Sequence, residues 1–153
     1  MNLRLMMNAS QFYALSRQLQ NAYAAQMRPL CEETGMPQTA IDILLFLHNN
    51  PGCDTARDIC TYRQLKPALV SLYVENLVQS GHLRRESVPE DRRKCRLQGQ
   101  PLLDDGKRLG GQQQAAFTAQ MFAGLSKEDL ASGQRCLAAV TQNIQTINQK
   151  GSA

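Results

Sequence analysis

The chain has 153 residues, of which 42% are hydrophobic and 5% aromatic, and its formal net charge is +4. This length favours one compact domain, and no apolar run approaches the roughly 18 residues that a membrane-spanning helix needs. The first residues become polar too soon for a secretory signal, so we expect a cytoplasmic protein.

Two helices are predicted in the first 50 residues. Residues 10–33 carry apolar side chains at steps of three and four, and Ser10 is the expected N-cap of this helix. The apolar stripe is longer than a small core needs, so we expect part of it to face a partner chain. Residues 38–49 are apolar on almost every side, which predicts a helix at the centre of the fold.

A short helix and a longer one follow. Thr55 and Asp58 have the spacing of a capping box and open the third helix. The inward face of this helix is expected to hold Ile59 and Tyr62. The fourth helix is predicted to begin at Pro67, because proline suits the first helical position, where its missing N–H would be unpaired anyway.

A basic hairpin is predicted directly after Gly81, the expected C-cap of the fourth helix. Its two short strands are expected at roughly 82–86 and 93–97, with residues 88–91 as the turn between them. Residues 55–96 carry nine basic and five acidic side chains, so the positive charge of the chain is concentrated here. A localised basic patch is the electrostatic footprint of a polyanionic partner.

Two further helices complete the chain. Residues 102–124 predict a fifth helix that contains Gly110-Gly111, and glycine inside a helix costs about 1 kcal/mol per residue relative to alanine. We expect a bend or a close helix contact at this pair. Ser126 with Asp129 predicts the N-cap of a sixth helix, whose apolar residues keep a three- and four-residue spacing almost to the end.

The order helix, short helix, turn, helix, hairpin predicts a winged helix-turn-helix. The second of two helices joined by a short turn can enter the major groove of DNA, and the hairpin then lies along the backbone as a wing. The outer helices have more apolar surface than this unit needs and are expected to form a dimer. The predicted fold class is mainly α (α+β), as a single domain 1–153 with a DNA-binding lobe at 37–100 and a dimerisation region at 8–34 and 101–149.

The middle of the chain resembles the DNA-binding core of the multiple-antibiotic-resistance regulator (MarR) family of bacterial transcription factors. Residues 77–85 resemble the end of the family's recognition helix, its glycine and its first wing strand, and residues 89–93 resemble its wing tip. Residues 124–130 resemble the opening of the family's last helix. The resemblance implies a sequence-specific transcriptional regulator, with repression as the expected mode, that binds pseudo-palindromic double-stranded DNA as a homodimer.

The resemblance also implies roles at the matched positions. Arg93 would enter the minor groove, Asp91 would hold the wing in shape by pairing with an arginine, and Arg85 would fix the geometry of the first wing strand. The positions where the family's recognition helix faces bases are Pro67, Ala68, Ser71 and Leu72. The candidates for phosphate contact, placed by charge and proximity rather than by motif, are Arg63, Lys66, Arg92 and Lys94.

Two features depart from the family's pattern. The stretch 97–101 lacks the family's Leu-Thr-x-x-Gly, which leaves the entry to the fifth helix open. The base-facing positions are mostly small or apolar. Leu72 and Ala68 cannot form the bidentate hydrogen bonds that read guanine or adenine, although they could touch a thymine methyl group. We therefore expect Arg93, in a narrow minor groove, to carry an appreciable share of the specificity.

The signal that releases DNA is left open by the sequence. The resemblance implies either a small aromatic or anionic effector, bound between the dimer helices and the DNA-binding lobe, or oxidation of a cysteine. Among the five cysteines, Cys95 stands out because Arg93, Lys94 and Arg96 favour its reactive thiolate. Either signal would alter the spacing of the two recognition helices. No ligand-binding residues can be assigned from the pattern.

Other classes of function find little support in the sequence. It contains no phosphate-binding glycine loop and no nucleophile elbow, so no enzyme activity and no catalytic residue is expected. The cysteines and histidines lack ligand spacing, and neither a metal nor a cofactor is expected. One alternative stays open, which is a winged-helix module that binds protein and whose basic hairpin never meets DNA.

Overall fold

Helices and one antiparallel hairpin make up the part of the chain that the structure describes. The structure, a computed structural model, describes residues 8–89, 91–99 and 104–151, with the backbone alone for 92–94 and 104–109. The elements in chain order are α1 (Ala9–Thr34), α2 (Gln38–Asn49), α3 (Ala56–Arg63), α4 (Pro67–Gln79), β1 (Leu83–Val88), β2 (Asp91–Gly99), α5 (Asp104–Met121) and α6 (Lys127–Gly151).

This order confirms the predicted fold class, a mainly helical protein with a winged helix-turn-helix. The chain divides into two compact units, with the division between Phe117 and Thr118 inside α5. Within the described ranges, no helix is both long enough and apolar enough to cross a membrane.

The helix starts confirm two capping predictions and correct a third. At α6, Ser126 and Asp129 form the predicted cap, with both hydrogen bonds between side chain and backbone at 3.1 Å. Thr55 and Asp58 form the predicted capping box of α3, with hydrogen bonds of 3.2 and 3.0 Å between side chain and backbone.

At α1 the N-cap is Asn8 rather than Ser10. The Asn8 side chain accepts from the Gln11 N–H at 3.0 Å, and the Gln11 side chain accepts from the Asn8 N–H at 2.8 Å. This box satisfies two backbone donors at once, whereas Ser10 already lies inside the helix.

Helix α4 begins at the predicted proline, but its C-cap is Ser80 rather than the predicted Gly81, which follows one residue later. Pro67 occupies its first turn. Beyond its end at Gln79, Gly81 has a φ of 78°, a left-handed conformation that glycine adopts without strain. The turn at Gly81 lets the His82 N–H donate to the carbonyl of Leu77 at 2.8 Å. The connection from α4 to β1 is therefore short, and this places the wing next to the helix.

Helix α2 is central, as its apolar pattern predicts. Ile41 and Leu45 pack with Met27 and Leu30 of α1 in one group of buried residues. The other side of α2 belongs to the core of the winged-helix lobe formed by α2, α3, α4 and the hairpin, whose buried members are Ala40, Ile43, Leu44, Phe46, Ile59, Val70, Val74, Leu77, Leu83 and Leu97. Because α2 contributes to both groups, it joins α1 to the lobe.

The wing is anchored to the lobe by the inner ends of its strands. Leu83 and Leu97 are buried in the core, and Arg85 is the residue opposite Leu97 in the antiparallel register. The Leu97 N–H also donates to the carbonyl of Asp54, just before α3, at 2.7 Å. Strand β1 begins one residue later than predicted and ends two residues later, and β2 extends two residues further at each end than predicted.

Two predictions about helices α3 and α5 are corrected. Tyr62 is 64% exposed rather than inward-facing, and its ring stacks on Phe46 with centroids 5.9 Å apart. Ile59 and Phe46 already fill the interior, so Tyr62 lies over Phe46 and keeps its hydroxyl in water. Helix α5 ends at Met121, before the predicted residue 124, because Gly124 has a φ of 82° in the turn to α6. The predicted start at 102 lies outside the described residues.

The predicted close helix contact at the glycine pair of α5 is confirmed at Gly110. A Cβ atom built on Gly110 would lie 2.9 Å from a methyl group of Leu45 and 3.1 Å from one of Leu30. A Cβ atom on Gly111 would meet nothing within 4 Å. Gly110 thus lets α5 lie directly against the leucines of α1 and α2.

Candidate nucleic-acid interface

Helix α4 buries one side and exposes the other. Its buried residues are Val70, Val74 and Leu77, at the spacing of one helical face. The residues predicted to face DNA from this helix and its N-cap are all exposed: Lys66, Pro67, Ala68, Ser71 and Leu72. The structure therefore brings these five residues together on the open surface around the N-terminal two turns of α4, as the sequence pattern predicted.

An ion pair joins the wing to the recognition helix. The Arg85 guanidinium on β1 donates to the Glu75 carboxylate on α4 at 2.8 Å. This hydrogen bond, followed by one from Gln79, holds the pKa of Glu75 below its usual range. Sequence reasoning assigned Arg85 to the geometry of the wing but did not identify Glu75 as its partner. The pair fixes β1 against the exposed side of α4.

The other described arginines of the wing also contact acidic groups. Arg84 on β1 is paired with Glu86 and donates to Gln98 on β2 at 3.0 Å. Arg96 lies 3.8 Å from the Asp54 carboxylate. Much of the positive charge at the base of the wing is thus balanced locally. Arg92, Arg93 and Lys94 complete the basic segment, and their side chains lie outside the described residues.

The wing tip contains an irregular stretch of the sheet. Val88 pairs with Asp91, which confirms the predicted position of the turn, while the neighbouring Ser87 pairs with Cys95. Residues 92–94 of β2 therefore lie between two pairs that are adjacent on β1. Such a bulge redirects side chains away from the regular pleat. It coincides with the three basic residues that the sequence assigns to DNA contact. Asp91 is half-buried, and its pairing with an arginine stays a prediction.

Arg63, predicted to contact phosphate, has a partner inside the protein. Its guanidinium lies 3.1 Å from the carboxylate of Asp42, which is only 7% exposed on α2. The Tyr23 hydroxyl of α1 donates to the same carboxylate at 2.8 Å and accepts from the Gln114 amide of α5 at 2.9 Å. The Arg63 side chain is 36% exposed. A phosphate contact by Arg63 stays a prediction, and a phosphate would have to compete with Asp42 for the guanidinium.

Burial changes the acidity of the tyrosine in this cluster of Tyr23, Asp42, Arg63 and Gln114. Removal of the phenol from water raises the pKa of Tyr23 to about 12, and the hydrogen bond to Asp42 adds to this effect. Tyr23 also packs edge-on against Phe117, with ring centroids 5.4 Å apart. One sequence signal could have revealed the cluster: Asp42 interrupts the apolar run 40–47 in the middle of α2.

Cys95, the cysteine singled out by its basic neighbours, is exposed on β2. Its Sγ lies 3.7 Å from the carbonyl oxygen of Arg96. Cys31, Cys53 and Cys60 are partly buried, and Cys136 on α6 is exposed. Among the residues whose placement is described, no three His, Cys, Asp or Glu side chains lie together as a metal site would require.

Several solved structures share this fold. The transcriptional regulator PA3341 has a TM-score of 0.77 and 21% identity, covering 88% of this chain and 98% of its own. The transcription regulator MarR from Oenococcus oeni has a TM-score of 0.71 and 16% identity, covering 86% and 98%. A protein of Listeria monocytogenes, assigned to the MarR family and solved with a 26mer DNA, has a TM-score of 0.75 and 13% identity, covering 92% and 90%.

Sequence comparison gives a match for the lobe described above. No curated protein matches the chain. Residues 34–94 match the model of the MarR family, and this range contains α2, α3, the recognition helix and the basic wing tip. The matched range and the shared winged-helix architecture agree with the motifs at 77–85 and 89–93. The segment 34–94 of this chain thus matches the MarR family, and the chain shares the fold of solved transcriptional regulators.

Proposed function

We propose that this protein binds pseudo-palindromic double-stranded DNA as a homodimer and represses transcription until a small-molecule or oxidative signal releases it. The observation that carries the proposal is the Arg85–Glu75 pair, which ties a basic wing to the exposed face of α4. A helix and a hairpin held in fixed relation suit two neighbouring grooves of one duplex. The Listeria monocytogenes relative in fold, solved with a 26mer DNA, supports the same partner.

Each part of the lobe has a distinct role in this proposal. Helix α4 enters the major groove, with its positive N-terminal end and Lys66 near the phosphates. Arg93 enters the minor groove, which attracts arginine most strongly where it is narrow. Arg92 and Lys94 flank Arg93 and contact phosphates. Asp91 shapes the turn that presents these three basic residues.

Exposed apolar rows support a homodimer. On α1, Phe12, Leu15 and Leu19 are between 43% and 52% exposed, although they lie on the stripe that ends in buried Met27 and Leu30. Helix α6 has no buried residue, and its apolar side chains at Leu130, Leu137, Val140, Ile144 and Ile147 are all exposed. A continuous row of exposed apolar side chains is more typical of a protein–protein interface than of a helix that faces solvent.

The release signal remains open between an effector and an oxidised thiol. A recess of about 210 Å³ beside α4 is lined by Met36, Pro37, Tyr73, Leu77 and His82, among others. A fold relative, an organohalide-sensing regulator, was solved with 2,4-dichlorophenol. We propose to measure DNA affinity with 2,4-dichlorophenol and, separately, with peroxide on wild type and Cys95→Ser. If peroxide weakens wild type and the Cys95→Ser variant alike, Cys95 is not the sensor.

Selection of bound sequences from random duplex DNA tests the proposal directly. A two-fold dimer should select two inverted half-sites about one helical turn apart. The affinity for the selected site should then fall steeply with salt, by about 0.9 in log–log slope for each phosphate neutralised. Repression is tested by transcription from a promoter that carries the site. Absence of binding at low salt would favour the protein-binding alternative instead.

The first prediction concerns the wing-tip arginine. Arg93→Ala should weaken specific binding by about 1–3 kcal/mol and leave the fold and the dimer intact. Arg135→Ala is a matched control, because Arg135 is exposed on α6 and its guanidinium donates to Ser132 at 2.9 Å. Fluorescence anisotropy on the selected duplex measures both variants. Equal losses for the two would mean that general charge, and not Arg93, accounts for the effect.

A further inference from the structure

The start of the recognition helix exposes apolar side chains where a DNA-reading helix usually exposes polar ones. Leu72 is 56% exposed and Leu69 is 39% exposed, although both are large hydrophobic residues. From 67 to 72 the only polar side chain is that of Ser71. Val70, buried between these residues, already supplies the contact with the core. The exposed leucines are therefore not needed by the fold and lie where a ligand surface is expected.

Helical geometry places Ala68 and Leu72 in one row. Residues four apart lie one above the other on the same face of a helix. The N-terminal residues of a recognition helix are those that reach base edges in the major groove. Ala68 and Leu72 occupy these positions, while the next acidic residue along the helix, Glu75, is held by Arg85 at 2.8 Å.

The chemistry of this row matches one feature of the major groove. Guanine and adenine present hydrogen-bonding edges that are read by Arg, Lys, Asn or Gln, and cytosine presents a donor. Thymine alone carries a methyl group, at C5, in this groove. Among the base edges in this groove, this methyl group offers an isobutyl side chain its largest apolar contact. A polar base edge placed against Leu72 would instead lose its hydrogen bonds to water and gain no hydrogen-bond partner in return.

We propose that Leu72, with Ala68 beside it, reads thymine C5-methyl groups, so that each half-site carries thymine at the positions facing the first two turns of α4. This deepens the proposed function and depends on it. Leu72 is the main reader because it reaches further than Ala68 and is more exposed than Leu69. Lys66 at the N-cap of α4 favours a DNA partner over an apolar protein surface at the same leucines, because it suits the flanking phosphates.

Replacement of single thymines by uracil in the selected site provides the test. Uracil keeps every hydrogen-bonding group of thymine and lacks only the C5-methyl group. The loss of one buried methyl group corresponds to about a fourfold loss of affinity. We expect wild type to show this loss at one or more positions in each half-site. Leu72→Ala should bind the thymine duplex more weakly and should lose most of the preference for thymine over uracil at the position that faces Leu72.

Two comparisons separate a methyl contact from other effects. If uracil acts through the shape of the duplex, the Leu72→Ala variant keeps the same preference for thymine, and the proposal fails. Leu72→Met, which retains apolar volume, should restore the preference for thymine. Circular dichroism should be unchanged for both variants, because Leu72 is exposed. The proposal is also overturned if wild type binds the thymine and uracil duplexes equally well. If wild type binds no DNA at all, the proposed function itself is overturned.

Discussion

At the scale of single residues, the pair of Arg85 and Glu75 has a geometric role more than an energetic one. Both side chains are about half exposed, at 45% and 46%. Exposed ion pairs of this kind contribute little to the free energy of unfolding, because solvent screens the charges. The pair matters because it spans two elements. It links β1 to α4 by a side-chain contact of 2.8 Å.

The second prediction separates this bracing role from a direct phosphate contact by Arg85. Glu75→Gln leaves the charge of Arg85 free. If Arg85 braces the wing, Glu75→Gln should weaken DNA binding by severalfold, and Arg85→Ala should weaken it similarly. The free energy of unfolding should change little in each variant, because the pair is exposed to solvent. Stronger DNA binding by Glu75→Gln would show that Arg85 acts as a phosphate contact that Glu75 restrains.

The pH dependence of this pair has a definite direction. Because Arg85 lowers the pKa of Glu75 in the folded protein, the pair is complete at neutral pH. Its small contribution is present above the unfolded pKa of the carboxyl group and is lost as the pH falls through the lowered folded pKa. Glu75→Gln has no carboxyl group at this position, so the variant should lose this pH-dependent contribution.

Tyr23 gives the third prediction, on the alkaline side. Its pKa of about 12 in the folded protein exceeds the ordinary value of 10.0. The neutral phenol therefore stabilises the fold fully below about pH 10, and this contribution is lost as the pH rises through about 12. Tyr23→Phe should remove the component of highest pKa from a titration of phenolate absorbance. If the component persists in Tyr23→Phe, the assignment to Tyr23 is wrong.

At the scale of elements, the packing of α5 on α1 and α2 depends on one glycine. Leu45 and Leu30 lie where a side chain at Gly110 would project, and Gly110 itself is buried. Interiors are packed densely enough that an added methyl group at such a point forces neighbouring side chains out of their preferred rotamers. Gly111, one residue later, has open space around its Cα.

The fourth prediction uses this neighbouring pair as test and control. Gly110→Ala should lower the free energy of unfolding by about 1–3 kcal/mol, since overpacking exceeds the gain in helix propensity. Gly111→Ala should be neutral or stabilise by up to about 1 kcal/mol, because only the propensity changes. Urea unfolding with a common slope measures both variants. Equal stabilisation by both substitutions would contradict the close packing at Gly110.

At the scale of the whole molecule, the proposed dimer of the outer helices would bring two copies of α4 to one DNA site. The surface of α6 is exposed along its length, including large apolar residues. In a single chain the apolar area of this row stays in contact with water, which is unfavourable in free energy. A second copy would cover this area and would present a second α4 to the same duplex.

The fifth prediction tests this assembly. Ile144→Glu, which places a charge on the apolar row of α6, should shift the protein from dimer to monomer, because an unpaired charge is costly to bury. Gln142→Glu adds the same charge at another position of the helix and should leave the dimer in place. Sedimentation velocity measures the mass of each variant. A dimer that tolerates Ile144→Glu would exclude this part of α6 from the interface.

Much of the fold could be predicted from the sequence because its determinants are local. The capping box of Thr55 and Asp58, the first-turn proline at 67 and the turn at Gly81 act within a few residues. Burial follows the same logic, since Val70, Val74 and Leu77 repeat at the helical period. Because these positions of α4 are predicted to be buried, the remaining positions could be predicted as the exposed face that is the candidate recognition surface.

The remaining features of the site depend on residues that are distant in the chain. Glu75 meets Arg85, Asp42 meets Tyr23 and Arg63, and Gly110 meets Leu45 only after the helices have packed. Sequence periodicity states which side of a helix is buried but not which element covers it. The sequence by itself therefore determined the elements, their order and the exposed face of α4. Only the tertiary structure decided how the wing is held to that helix, because this contact joins side chains that no local pattern relates.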